Sequence, residues 1–140
     1  MAKFHTSKIQ VRFADIDKLG HVNNAKYLTY FEIARMQFFE DEFKHIKDLD
    51  WKHKGLILAK TEVDFLVPIL LEDKVEIETY CTKIGNKSFE LAYRVFKVNY
   101  PSKILAAKGS SVLVAFNYIE QKSIPVEESW KKELSRFLIE

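Results

Sequence analysis

Asp15, Asp17, Gly20, His21, Asn23 and Asn24 fall within ten residues of one another, in the stretch DIDKLGHVNN. A carboxylate in such a stretch can act as a general base on water or attack an electrophile directly. An apolar segment with helical spacing follows, so the first amides of that helix and its positive dipole end point back at the loop. Such a place stabilises negative charge, including the oxyanion of an attacked carbonyl. Gly20 lets the backbone approach a ligand closely or take a conformation that a Cβ forbids. Asp15 and Asp17 are two apart, so at an extended strand end they share a face. Acid, amide donors and dipole together fit acyl transfer. The same residues also fit a plain helix cap, because Asp, Asn and Gly are favoured in helix lead-ins, and Asn23 or Asn24 is a natural N-cap.

Other chemistries are poorly served. A calcium loop fails at Leu19, where a third oxygen ligand is required, and His5, His45 and His53 form no ligand spacing with His21. There is no glycine-rich phosphate loop, no nucleophile elbow and no Cys–His arrangement. The single cysteine, Cys81, lies in an alternating strand pattern and reads as a small buried hydrophobe. One cysteine excludes an internal disulfide and fits a reducing compartment.

The elements that hold this loop are legible from periodicity. Ser7–Phe13 alternates polar and apolar residues and predicts a first strand. From about Asn24 to Lys44 there is no Gly or Pro, which predicts one long helix. On it, Lys26, Thr29, Gln37, Glu40 and Lys44 form a narrow polar stripe, and Leu28, Phe31, Ala34, Phe38, Phe39 and Phe43 cover most of the rest. So apolar a helix must be wrapped by protein on most sides. Glu32 and Arg35 break that surface; three apart, they can pair with each other, or Glu32 can face the same cavity as the loop. Period-two alternation follows through Ala59–Val67, Val75–Thr82 and Phe89–Phe96, with Pro68 as a break and Gly85-Asn86 as a hairpin turn. A last long strand runs from about Ile104 to Tyr118. Pro125 starts a short terminal helix with Trp130, Leu134, Phe137 and Leu138 on one side.

One helix among five strands defines an α+β layer architecture in a single domain. One helix cannot cover both faces of a five-stranded sheet, so an exposed edge or face calls for a partner chain, with a two-fold homodimer as the expectation. The formal net charge of +2, with acids and bases interleaved, gives no footprint for nucleic acid. Lys83, Lys87 and Arg94 suffice for one small anionic ligand. No apolar run reaches membrane-spanning length and no secretory leader is evident, so the expected location is cytoplasmic.

The run VRFADIDKLGHVNNAKYLTYFEIAR, Val11 to Arg35, resembles the hot-dog-fold acyl-CoA thioesterases of the 4-hydroxybenzoyl-CoA thioesterase type. Their pattern is D-x-D-x-x-G-H-x-N-N-x-x-Y followed by F-E-x-A-R. IETYCTKIGNKSFELAYRV is similar to the third and fourth strands of that family. The resemblance covers almost the whole chain. It implies one hot-dog domain over residues 1–140: a five-stranded curved antiparallel sheet wrapped around one long helix, plus a short C-terminal helix. It implies hydrolysis of acyl-CoA to free acid and coenzyme A, without cofactor or metal. Asp17 is then nucleophile or general base. The amides of Gly20–Asn23, with Val22 and Asn23 foremost, polarise the thioester carbonyl. Asn24 and Tyr27 shape the pocket at a dimer interface, and Glu32 is a supporting or alternative acid. Gly20, His21, Tyr27, Lys60, Lys87 and Ser88 are the implied substrate contacts, Lys87 and Ser88 facing the coenzyme A phosphates. Gly85 and Asn86 stand where a well-known member carries arginines, and His21 points to the subgroup acting on fatty or unassigned acyl groups. The implied assembly is a homodimer or dimer of dimers. Two alternatives are an acyl-carrier-protein thioesterase and a non-catalytic acyl-CoA binding module.

Overall fold

The computed structural model describes residues 3–139. In chain order the elements are β1 (His5–Ile9), a 3-10 turn (Phe13–Asp15), α1 (Lys26–Glu42), β2 (Lys54–Phe65), β3 (Val75–Ile84), β4 (Ser88–Asn99), β5 (Ser102–Asn117), β6 (Lys122–Ser123) and α2 (Glu128–Ser135). The strands form one antiparallel sheet in the order β1-β3-β4-β5-β2, and the two-residue β6 pairs with β5. The five expected strands are present, and β6 is an addition too short to leave a period-two signal.

The register crosses the sheet through His5, Thr79, Tyr93, Gly109 and Val63. Irregularities at Leu58/Lys60, Cys81/Lys83 and Val95/Phe96 interrupt the ladders. A bulge sharpens local twist and bends a strand, which is how a sheet of long strands curls about one helix.

Tyr27, Tyr30, Phe31, Ala34, Arg35, Phe38 and Phe39 are the buried residues of α1. Their spacing of three and four residues traces one helical face. Phe31 lies flat on Tyr93, with ring centroids 4.3 Å apart and planes at 14°. Gly109 makes that approach possible, because a Cβ there would stand 2.6 Å from the Phe31 ring and closer still to the Glu62 carbonyl. At the end of the helix, Phe39 meets Phe43 edge-on, Phe43 stacks on Trp51, Trp51 packs against Trp130, and Phe38 meets Phe137 edge-on. These contacts clamp α2 to the far end of α1.

The wrapping of α1 is less complete within one chain than its composition predicts. Leu28, Ile33 and Met36 are exposed on the helix's outer side. The first strand also ends earlier than expected, at Ile9, and Phe13 is exposed. The chain leaves the sheet there because Asp15 turns inward to bind the helix. The second strand starts earlier, at Lys54, in an apolar run that masks the period-two pattern.

The two long borders of the sheet differ. The outer side of β3 is covered by β1 up to Thr79, and then by the C-terminal segment: Cys81 N–H donates to Phe137 O at 2.9 Å and Ile139 N–H to Cys81 O at 2.8 Å. On the other border β2 is an open edge twelve residues long, carrying exposed Ile57, Leu58 and Phe65.

Candidate active site

The loop before α1 is a small hairpin. Ile16 and Val22 form an antiparallel bridge, Asp17 N–H donates to His21 O at 2.8 Å, and Asn23 N–H to Asp15 O at 2.8 Å. Gly20 N–H closes the turn on Asp17 O at 3.0 Å. A three-residue hairpin loop of this kind ends in a left-handed residue, and Gly20 has φ +87°. A Cβ at Gly20 would meet nothing within 4 Å, so glycine is required for conformation and not for space.

The two aspartates have separate tasks. Asp15 is buried, and its Oδ2 accepts from the Tyr30 hydroxyl at 2.7 Å and from Arg12 N–H at 3.0 Å. It pins the hairpin to α1. Asp17 is half-buried; its Oδ1 accepts from Leu19 N–H at 2.9 Å and more loosely from His21 N–H at 3.4 Å. Its Oδ2 has no hydrogen-bond donor among the described residues. Asp17 is therefore held by one oxygen and offers the other.

The helix-start amides sort in the same way. Val22 N–H donates to Ile69 O at 2.8 Å, and Asn23 N–H is committed to Asp15. Neither Val22 nor Asn23 is free to polarise a carbonyl, which corrects the expectation for both. Ala25 N–H is taken by Asn23 Oδ1 at 3.0 Å. The N-cap of α1 is Ala25, without a side-chain cap; Asn23, two residues earlier, uses its Oδ1 to close its own turn on Ala25 N–H. Among the described residues Asn24 N–H has no acceptor, and it is the open donor at the start of the helix; in the turn, Lys18 N–H is also without one.

The remaining expected residues are dispersed. Tyr27 is buried, with Phe65 edge-on at 4.9 Å. Lys60 is exposed on β2, where Glu62 at 2.8 Å raises its pKa. Lys87 is exposed and Ser88 half-buried in the turn between β3 and β4. The loop is anchored beside Ile69, before β3 begins, whereas Lys87 lies past its other end. Ten strand residues separate them, roughly 30 Å at the usual rise. One chain does not bring Lys87 to Asp17.

Glu32 and Arg35 form no ion pair. Glu32 is exposed, while Arg35 turns inward and donates to the Tyr93 hydroxyl at 3.3 Å and Ser111 Oγ at 3.4 Å. Both line a cavity of about 660 Å³ between α1 and β2, with Phe39, Trp51, Leu58 and Tyr118 among its walls. Neither Asp17 nor any other loop residue from Asp15 to Asn24 lines it, so within one chain Glu32 faces a different space from the loop. A second cavity, about 940 Å³ around the ends of β1, β3 and β4, also excludes those residues. The periodicity of the buried helix face, which passes through Ala34 and Phe38, marks Arg35 as an inward residue; its possible pairing with Glu32 obscured this.

Burial raises the pKa of Tyr30, and the hydrogen bond to Asp15 raises it further. The neutral phenol is thus favoured in the folded state. Its contribution is full below the unfolded value near 10 and declines as pH rises above it, at about 1.4 kcal/mol per pH unit. Tyr30→Phe should remove that share of the alkaline loss. At pH 7 it should cost about 1–3 kcal/mol, because Asp15 keeps its burial and loses a donor. Urea titrations of both proteins at pH 7 and pH 10.5 check this: the difference between them must shrink at the higher pH.

A family model, the thioesterase-like superfamily, matches residues 11–134, and the chain belongs to that family. A solved thioesterase from Thermus thermophilus, complexed with coenzyme A and Zn, is 32% identical, with 94% of this chain and 92% of that one covered and a TM-score of 0.76. The chloroplastic acyl-acyl carrier protein thioesterase ATL3 of Arabidopsis thaliana is 25% identical over 138 residues, 99% of this chain and 71% of that protein. The 1,4-dihydroxy-2-naphthoyl-CoA hydrolase of Microcystis aeruginosa is 26% identical over 125 residues, 86% of each chain. The fold is the hot dog, and the chain is a thioesterase.

Proposed function

We propose that this chain hydrolyses acyl-CoA thioesters, with Asp17 as the reacting carboxylate and Asn24 N–H as a donor to the thioester carbonyl oxygen. The observation that carries this reading is that one loop holds an uncommitted carboxylate oxygen, Asp17 Oδ2, and an uncommitted helix-start amide, Asn24 N–H, while the neighbouring amides of Val22, Asn23 and Ala25 are all taken. The amide, backed by the dipole of α1, draws charge onto the carbonyl oxygen. Asp17 then activates water or adds to the carbonyl carbon, and the thiolate departs. A thiol of ordinary pKa near 8.5 leaves without a strong acid, so no triad is needed.

The site is completed by a second copy. An antiparallel pairing of β2 with its symmetry mate would satisfy the open edge and cover Ile57 and Leu58. It lays the two sheets head to tail, so the Lys87 end of one protomer falls at the Asp17 end of the other. Coenzyme A phosphates at Lys87 and Ser88, a thioester at Asp17 of the partner subunit, and an acyl group in the cavity lined by Glu32 then belong to one composite site. His21 and Gly20 border its mouth, and Tyr27 supports it from beneath. Lys60 lies on the paired edge. A reducing, cytoplasmic setting agrees with the single unpaired Cys81.

The carrier is the point of choice, since the Arabidopsis relative is named for acyl carrier protein. Thiol release from short, medium, long and aromatic acyl-CoAs, run beside matched acyl-carrier substrates, tests the proposal. We expect kcat/KM for coenzyme A thioesters to lead by at least about tenfold, equivalent to ~1.4 kcal/mol. Tight acyl-CoA binding without thiol release would instead favour a binding module.

A further inference from the structure

We propose that the cavity between α1 and β2 selects acyl groups bearing an oxygen acceptor away from the thioester, and that Arg35 is the residue that reads it. This rests on the acyl-CoA reading above and deepens it. Arg35 is 8% exposed, and it has no carboxylate within ion-pair distance among the described residues. Its only side-chain partners there are two neutral hydroxyls, Tyr93 and Ser111, and both contacts are long and run through Nη1. Ser111 is itself occupied by Thr61 Oγ1 at 3.2 Å. A guanidinium carries five N–H donors in a fixed fork, so Nε and Nη2 remain uncommitted. A buried charge without an ionic partner is costly to keep, yet this one shares its cavity wall with Phe39, Trp51, Leu58 and Tyr118, and the other charged residues of the lining, Glu32, Glu40 and Lys44, form no ion pair with it.

A purely alkyl chain can pack against the apolar part of that wall, but it offers the guanidinium no acceptor. A keto, hydroxyl or carboxylate oxygen would supply the missing acceptor and form a charge-assisted hydrogen bond. The cavity, about 660 Å³, is of the size that small-molecule sites occupy. Glu32 stands exposed at the rim and does not neutralise Arg35. The role assigned to Arg35 is one of specificity: it contacts the distal end of the acyl group and takes no part in carbonyl attack.

The test compares hexanoyl-CoA with two chains of matched length, 5-oxohexanoyl-CoA and adipoyl-CoA, on the full-length wild-type protein. Wild type should favour at least one oxygenated chain by about tenfold or more in kcat/KM, the scale of one hydrogen bond to a charged group. Which of the two leads tells whether the acceptor is a neutral carbonyl or a carboxylate. Arg35→Met should bring the ratio to within about threefold of one. Arg35→Lys, which keeps the charge without the fork, should fall between. The proposal is overturned if wild type hydrolyses all three at equal kcat/KM, a result that leaves the thioesterase reading intact. It is also overturned if Arg35→Met lowers every rate in parallel and keeps the ratio, as a packing role would. Absence of hydrolysis for every thioester sinks both readings. The wild-type ratio needs no variant, so a misfolded Arg35→Met still leaves the proposal exposed to refutation.

Discussion

Asp17→Asn should reduce kcat for acyl-CoA hydrolysis by about 10³-fold, within the range that one positioned acid or base supplies. The substitution is chosen for what it preserves. An asparagine Oδ1 still accepts from Leu19 N–H and His21 N–H, so the hairpin and the Gly20 conformation persist. What disappears is the uncommitted oxygen that can take a proton or attack carbon. KM should change little, and the melting temperature should stay within about 2 °C, a fraction of a kcal/mol. Single-turnover thiol release with a chromogenic disulfide gives the rate directly. Turnover within tenfold of wild type would remove Asp17 from the chemistry and leave the loop as a structural cap. Asp17→Ala is a weaker test, because it also removes the turn's acceptor, at a cost of about 1 kcal/mol typical of a lost cap.

Gly109→Ala should destabilise the fold by about 3 kcal/mol, the upper end for forcing a methyl into a packed core, and lower the melting temperature by roughly 10 °C. The added Cβ would fall inside van der Waals contact with both the Phe31 ring and the Glu62 carbonyl. The ring cannot retreat, because it lies on Tyr93, and the carbonyl belongs to the β2–β5 ladder. A Phe31→Leu background should relieve part of the clash, so the alanine should cost about 1 kcal/mol less there, a coupling typical of residues in contact. Thermal melts of the four proteins in the cycle provide the measurement. Equal costs in both backgrounds would show that α1 is not seated on β5 through this pair.

What could be read from the chain, and what could not, follows from the range of each interaction. The long helix, the strands of the meander and the turn at Gly85-Asn86 rest on local periodicity, and they stand where that periodicity puts them. The importance of Asp15–Asn24 was legible because its residue types are unusual for a connection. The division of labour inside it was not. That Asp15 faces inward and Asp17 keeps an open oxygen depends on Tyr30, fifteen residues away. That Val22 is occupied depends on Ile69, in a segment with no alternation to mark it. Arg35 could be placed on the buried face by counting, but its partners Tyr93 and Ser111 come from β4 and β5, which spacing along the helix cannot foresee.

The capped border of β3 bears on how the molecule assembles. Residues 5–9 lie against residues 75–79, and the adjoining position, Cys81, receives the backbone of Phe137 and Ile139. The first strand thus waits some seventy residues for its neighbour, and that neighbour's ladder is finished only by the last turn of chain. By contrast β3, β4 and β5 need only short reversals. Distant pairings carry a heavy loop-closure burden and slow the search. We therefore expect the central meander to nucleate, with the leading strand and α1 docking late and the tail acting as the latch. On the ribosome, the phenylalanine-rich helix would emerge long before the surface that shelters it, a window in which holding factors would matter.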